Sequence, residues 1–284
     1  MPKISIFTVL ACCIIVAGCA QKRATVATIK TSYGDMVAVL YDETPKHKEN
    51  FIKLANGHYY DSTLFHRVIK GFMIQGGDPD SKKAAPGAML GRGGPGYTID
   101  AEIVPKYFHE KGSLSAARLA DMQNPKKASN GSQFYIVQGR ILDEQEMTLD
   151  QKKFDQALRV YFNNPAHKGA FDSLGAAYQA NDEELYRKLF LALRPKVEKE
   201  TGMDVSQTVA PDKLKAYSTV GGAPMLDGDY TVFGKVIKGL EVIDKITDVE
   251  KDGANRPTKD IPMTVTVEEL TEKAIKKRYG YDLP

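Results

Sequence analysis

Arg67 is the residue in this chain whose surroundings most suggest chemistry. It lies in Phe65-His66-Arg67-Val68-Ile69-Lys70-Gly71-Phe72-Met73-Ile74-Gln75-Gly76-Gly77-Asp78, a cation among apolar side chains with an amide eight residues on. A guanidinium presents several N–H donors in a fixed plane and stays protonated at any ordinary pH. Such a group can steady a developing lone pair without forming a bond to it. Other chemistries are poorly served. The histidines, at 47, 58, 66, 109 and 167, show no ligand spacing such as His-x-x-x-His, so no metal site and no cofactor are expected. Gly91-Arg92-Gly93-Gly94-Pro95-Gly96 formally fits a dinucleotide fingerprint. The Tyr97-Thr98-Ile99 that follows does not open a helix, so a phosphate would meet no helix dipole.

The elements that must hold Arg67 read as short strands. Segments 25–31 and 36–41 form a hairpin around a turn at 32–35. Thr44-Pro45 opens a helix, with Thr44 as N-cap, Phe51, Leu54 and Ala55 on its buried stripe, and Gly57 at its end. Runs 64–68 and 72–75 are strand-like, 84–96 is a Gly- and Pro-rich loop, and 113–118 and 132–138 are further strands. Many short strands punctuated by glycine point to a closed or sandwiched antiparallel sheet. The texture changes at about Arg140. Segments 144–163, 171–178 and 183–200 carry apolar residues at helical spacing, and Pro195 is expected to kink or break the last. Strand texture returns at 230–237, followed by a helix over 240–249 and a strand over 263–267. An all-helical block over 140–222 therefore interrupts a β-rich domain. The aromatics of that block are spaced as core residues.

The chain has 284 residues, 42% hydrophobic and 26% charged, which excludes a disordered chain, a collagen-like repeat and a disulfide scaffold. The net charge of +3 carries no basic excess, so nucleic acid is not an expected partner. Lys3 precedes an uncharged run over 4–18, and Cys19 follows. At about 1.5 Å per residue the run reaches roughly 22 Å, short of the ~30 Å hydrocarbon core, so it reads as a signal-peptide core. Val16-Ala17-Gly18-Cys19 resembles the bacterial lipobox, which implies cleavage after 18 and lipidation of Cys19. A lipid-anchored, periplasm-facing protein of the cell envelope is expected, held to the membrane by acyl chains. Cys12 and Cys13 leave with the leader, so no internal disulfide remains.

The segment around Arg67 resembles the signature of the cyclophilin-type peptidyl-prolyl isomerases. Three more segments agree in order: Gly94-Pro95-Gly96-Tyr97, then Asn130-Gly131-Ser132-Gln133-Phe134-Tyr135-Ile136, then Leu226-Asp227-Gly228 with Val232-Phe233-Gly234-Lys235-Val236. The resemblance covers 24–139 and 223–270, with 1–18 as leader, 19–23 as tether, 140–222 as insertion and 271–284 as C-terminal tail. It implies a mainly β fold, a closed antiparallel eight-stranded barrel with capping helices, to which the all-α block is added. It also implies catalysis of X–Pro isomerisation by Arg67, Gln75 and Phe72. Met73, Ala117, Arg118, Gln133, Tyr135, Met225, Leu226 and Tyr230 occupy substrate-binding positions. His66 is carried with them, although neighbours on a strand face opposite ways, which favours a packing or hydrogen-bonding role.

Two residues depart from the family pattern. Met225 stands where compact members usually have Trp, which should weaken cyclosporin binding more than catalysis, and Tyr230 stands where they usually have His. Tyr135 in place of the usual Phe adds a hydroxyl at the pocket. The partners implied are proline-containing polypeptides, the membrane through Cys19, and a protein partner for the insertion; a monomer is expected. The competing function is a binding module or chaperone of low turnover, working through the groove and the helical block.

Overall fold

A computed structural model describes residues 22–283. The leader and the lipidation expected at Cys19 lie outside the described residues. Strands β1 (Arg23–Thr31) and β2 (Gly34–Leu40) form the first hairpin, and α1 (Pro45–Asn56) follows. The chain continues through β3 (Thr63–Leu64), β4 (Arg67–Ile69), β5 (Met73–Gly76), β6 (Thr98–Ile99), β7 (Ser113–Ala116), β8 (Ser129–Asn130) and β9 (Phe134–Val137). Five helices come next: α2 (Glu144–Met147), α3 (Gln151–Phe162), α4 (Lys168–Gln179), α5 (Glu183–Thr201) and α6 (Pro211–Thr219). Then β10 (Val232–Lys238), α7 (Leu240–Thr247), β11 (Pro262–Thr271) and α8 (Glu272–Tyr279) complete the described chain.

Nine strands form one antiparallel sheet in the order β3-β11-β1-β2-β10-β7-β9-β5-β4, and β6 pairs with β8 apart from it. The resemblance implied eight strands in a closed barrel; the ladder has nine and ends at β3 and β4, a curled half-barrel. The run 64–68 expected as one strand is divided, and its middle carries the chain from one edge of the sheet to the other. The Phe65 N–H donates to Ile261 O on the β11 side, while the His66 N–H donates to Gln75 O of β5. The two edges come close at Gly76, where a Cβ would stand 2.9 Å from Leu64 O and 2.4 Å from Met263 Cε. A side chain there would push the edges apart.

Inside the curl, Ile29, Met36, Val68, Ile74, Leu114 and Ile136 pack with Phe51 of α1 and with Val242, Ile243 and Ile246 of α7. Thr44 precedes Pro45 as expected, yet its side chain makes no cap bond, and its hydroxyl donates to Tyr41 O. The Glu102 carboxylate accepts the N–H groups of Lys46 and His47 at 3.1 and 3.0 Å instead. The orphan donors of α1 are thus met from a distant loop. The expected tail 271–284 is also structured. Thr271 caps α8 by accepting from the Ala274 N–H, Gly280 closes the helix in the left-handed region, and Ile275 is fully buried.

The helical block has its own core of Phe154, Ala157, Leu158, Leu174, Leu191 and Val197. Of the kink or break expected at Pro195, the break does not occur: α5 continues through it. Leu191, Leu193 and Val197 bury on either side of the proline, so packing sustains the helix across the missing N–H. The block leaves and rejoins the sheet at one narrow place. Arg140 pairs with Gly222 there, and Leu142, Met147 and Tyr217 pack against Phe108. A Cβ at Gly222 would stand 2.3 Å from His109 O and 2.4 Å from the Tyr217 ring. The substitution Gly222→Ala is expected to destabilise the protein by about 1–3 kcal/mol, measured by denaturant unfolding, because backbone on one side leaves the methyl no room.

Candidate active site

Strand register builds the site. Arg67 of β4 pairs with Gln75 of β5, Gln75 pairs with Tyr135 of β9, and Tyr135 pairs with Ser115 of β7. Because side chains alternate, Arg67, Met73, Gln75 and Tyr135 share the outer face while Val68, Ile74, Phe134 and Ile136 go to the core. Arg67, Phe72, Met73, Gln75, Ala117, Arg118, Tyr135, Leu226 and Tyr230 line a hollow of about 180 Å³. Every one of these was a candidate from the sequence.

Arg67 is half-buried at the rim of this hollow, and among the described residues it has no carboxylate within ion-pair distance. Its partner is neutral: Nη1 donates to Gln75 Oε1 at 3.3 Å. Gln75 Nε2 donates to Gln133 Oε1 at 3.0 Å, and Gln133 Nε2 donates to Gly93 O at 2.7 Å. This relay orients the guanidinium and, among the described residues, engages Nη1 alone of its nitrogens, at the edge of the hollow. Burial presses the Arg67 pKa downward, but the ordinary value is so high that the charge persists. Phe72, Met73 and Leu226 supply the apolar wall. Tyr230 stands edge-on to Tyr135 at 5.9 Å, and the Arg118 guanidinium lies over its ring at 4.3 Å. Arg118 is held there by its Nε donating to Asp229 O at 2.7 Å.

Three sequence candidates sit outside the lining. Gln133 is buried behind the rim and acts on Arg67 through Gln75. Met225 is 65% exposed on the short 3-10 turn that points Leu226 inward. His66 faces away from Arg67. It is 4% exposed, neither ring nitrogen has a well-aligned hydrogen-bond partner among the described residues, and Gly91 of the 84–96 loop lies over it. That loop is bound by the chain itself: the buried Asp78 carboxylate accepts the Gly91 N–H at 2.6 Å and the Gly93 N–H at 3.3 Å. The glycine run of the apparent dinucleotide fingerprint therefore serves a carboxylate of this protein.

Behind Tyr135 lies a cluster that motif reading missed. His109, 1% exposed, places Nε2 at 2.9 Å from Tyr135 Oη and Nδ1 at 3.0 Å from Asp227 Oδ1. Asp227 also accepts from Tyr217 Oη and Lys213 Nζ of α6. The signal available in sequence was Asp227 within the Leu226-Asp227-Gly228 match; nothing local tied it to His109 or Tyr217.

A family model described as cyclophilin type peptidyl-prolyl cis-trans isomerase/CLD matches residues 26–155 and 213–268. The chain is similar to peptidyl-prolyl cis-trans isomerase A of Mycobacterium tuberculosis H37Rv, 38% identical over 130 residues, 40% of this chain and 64% of that protein. A Streptococcus pyogenes protein whose name couples a phosphatase with a peptidyl-prolyl cis-trans isomerase is 30% identical over 237 residues, 82% of this chain and 36% of that protein. A Staphylococcus haemolyticus protein named for the same isomerisation is 28% identical over 243 residues, 85% of this chain and 89% of that protein. The chain thus spans about a third of the streptococcal relative and just under two thirds of the mycobacterial one. In fold it is similar to the crystal structure of a Cryptosporidium parvum cyclophilin-type peptidyl-prolyl cis-trans isomerase. The TM-score is 0.51 at 23% identity, covering 86% of this chain and 98% of that one.

The setting of His66 has a consequence for pH. Burial lowers its pKa below the ordinary 6.5; Asp78 opposes this, and Arg67 and Arg256 reinforce it. The unfolded chain therefore takes up a proton that the folded chain resists, so stability is full above about pH 6.5 and declines as pH falls below it. His47 is lowered in the same direction, chiefly by burial. The thermal midpoint is expected to drop between about pH 7.5 and about pH 5.5, and His66→Gln to remove part of that slope. Identical slopes for the two proteins would show that His66 is not the group titrating.

Proposed function

The chain belongs to the cyclophilin-type peptidyl-prolyl cis-trans isomerase family, and we propose that it catalyses cis–trans isomerisation of X–Pro bonds in polypeptides. The observation that carries this reading is Arg67, a permanent cation beside an apolar hollow and tied, among the described residues, to neutral acceptors. An X–Pro bond rotates over a barrier of roughly 18–20 kcal/mol, because rotation breaks amide resonance. At the twisted midpoint the proline nitrogen regains a localised lone pair. Arg67 donors beside that nitrogen stabilise the twisted state more than the planar one, which is the requirement for catalysis. The hollow formed by Phe72, Met73, Leu226 and Tyr135 takes the proline ring and excludes water, which would otherwise favour the planar amide through its carbonyl. Gln75 holds Arg67 and, with Ala117 and Arg118, faces the flanking peptide. No covalent bond changes, so no nucleophile or cofactor enters the scheme.

With a proline peptide, Arg67→Ala is expected to lose a hundredfold to ten-thousandfold in rate, about 3–5 kcal/mol. Equal rates for the two proteins would overturn the reading. The clients are read as proteins of the cell envelope; the support is the 4–18 apolar run with Cys19, which would tether the domain formed by 24–139 and 223–270 beside a membrane.

A second reading is favoured by one feature of 140–222, read as an inserted unit. Phe162, Phe171, Tyr178, Tyr186 and Phe190 line a cleft of about 390 Å³ between α3, α4 and α5. Phe171 is 58% and Tyr178 72% exposed, more than a core aromatic would be. Such a surface suits transient capture of apolar segments of a client chain. In an aggregation assay with an unfolded client, Phe171→Ser with Tyr178→Ser is expected to lose protection while proline-peptide turnover stays at the wild-type rate. Retained protection would leave the isomerase reading to stand alone.

A further inference from the structure

We propose that Tyr217 and Lys213, on α6 of the helical block, are positioning residues for the proline pocket, acting through Asp227 and His109 on the Tyr135 hydroxyl. The inference rests on the isomerase reading and adds to it the part played by the block.

The contacts run without a break from one unit to the other. Lys213 Nζ donates to Asp227 Oδ2 at 2.8 Å, and Tyr217 Oη donates to Asp227 Oδ1 at 2.9 Å. The His109 backbone N–H donates to the same Oδ1 at 2.9 Å, and His109 Nδ1 lies 3.0 Å from it. Burial alone would raise the Asp227 carboxyl, but the hydrogen bonds from His109 and Lys213 outweigh it and hold the group below the ordinary carboxylate range. An ionised carboxylate only accepts, so Nδ1 carries the hydrogen. With the hydrogen on Nδ1, Nε2 is the acceptor, and the Tyr135 hydroxyl, 2.9 Å away, donates to it.

This fixes where the hydroxyl points. The Tyr135 ring lines the hollow, while its oxygen is drawn to the far side, against His109. Without that bond the ring is free to tilt, and an O–H carried toward the hollow would donate to the carbonyl of the bound X–Pro amide and stabilise its planar form. Held on His109, it leaves Arg67 as the donor that acts on the twisted amide. Asp227 immediately follows Leu226, so the same anchor seats the wall residue beside Tyr135. Two of the donors on this carboxylate come from α6, outside the sheet. The block stands beside the hollow, contributing no lining residue, and acts on it from behind.

The test uses the full chain in detergent with a proline peptide. Tyr217→Phe combined with Lys213→Met is expected to lower kcat about five- to tenfold, about 1–1.4 kcal/mol, with KM little changed. In a Tyr135→Phe background the same pair is expected to change kcat by less than about twofold, because no hydroxyl remains to be misdirected. Ring nitrogen chemical shifts of His109 are expected to move toward a mixture of tautomers in the pair variant. An unchanged kcat, an equal fall in both backgrounds, or a kcat fall with the His109 tautomer intact would each overturn the inference. Tyr217→Phe alone removes a single oxygen and serves if the pair fails to fold. Arg67→Ala, run alongside, separates the two levels: if it equals wild type, the isomerase reading fails first.

Discussion

A guanidinium kept charged, half-buried and, among the described residues, free of any acid is the constraint from which the site follows. A carboxylate within reach would form an ion pair with Arg67 and turn its donors away from the hollow. Orientation therefore has to come from neutral oxygens, and these must themselves be held. Gln75 is held by Gln133, Gln133 by Gly93 O, and Gly93 by Asp78, whose buried carboxylate gathers the loop. Arg256 secures the start of the same loop by donating to Ala85 O and Ala84 O. Asp78 is consumed one layer back from the cation. The negative charge needed to order the loop is thus kept from the group that must stay unpaired.

Much of the site was legible because strand parity is local. In Arg67-Val68-Ile69 and Met73-Ile74-Gln75 the alternation separates rim from core, and the register of β4, β5 and β9 brings the rim residues into one row. His66 follows from the same rule, facing the loop side while Arg67 faces the hollow. What sequence could not yield are partners separated by long stretches of chain. The Glu102 carboxylate that meets the N-terminus of α1, and the Asp227 that joins His109 to α6, have no local mark of their role. Helix α8 is a different case: Thr271 and Gly280 are ordinary start and stop signals, and the expected tail overlooked them. The path of α5 through Pro195 depends on packing inside the block, which propensity alone does not register.

The helical block and the sheet have separate cores, yet they meet where the hollow beside Arg67 is supported. Gly222 sits at that meeting, packed between His109 O and Tyr217, so the point of return is also the back wall of the site. A helical block placed there touches the pocket's support without entering the pocket. That arrangement lets the two units be altered independently over most of their surfaces and couples them at a few hydrogen bonds.

The shortness of the outermost strands bears on the company this molecule would keep. Strands β3 and β4 span two and three residues, and the chain passes directly from one to the other. A long unpaired border would offer its amides as a template to any half-folded polypeptide and invite co-aggregation. On the proposed isomerase function such a protein would meet that hazard continually, and these borders, two and three residues long and largely buried, are too brief to recruit half-folded chains. Contact with a client would then fall to side chains, where it can be released.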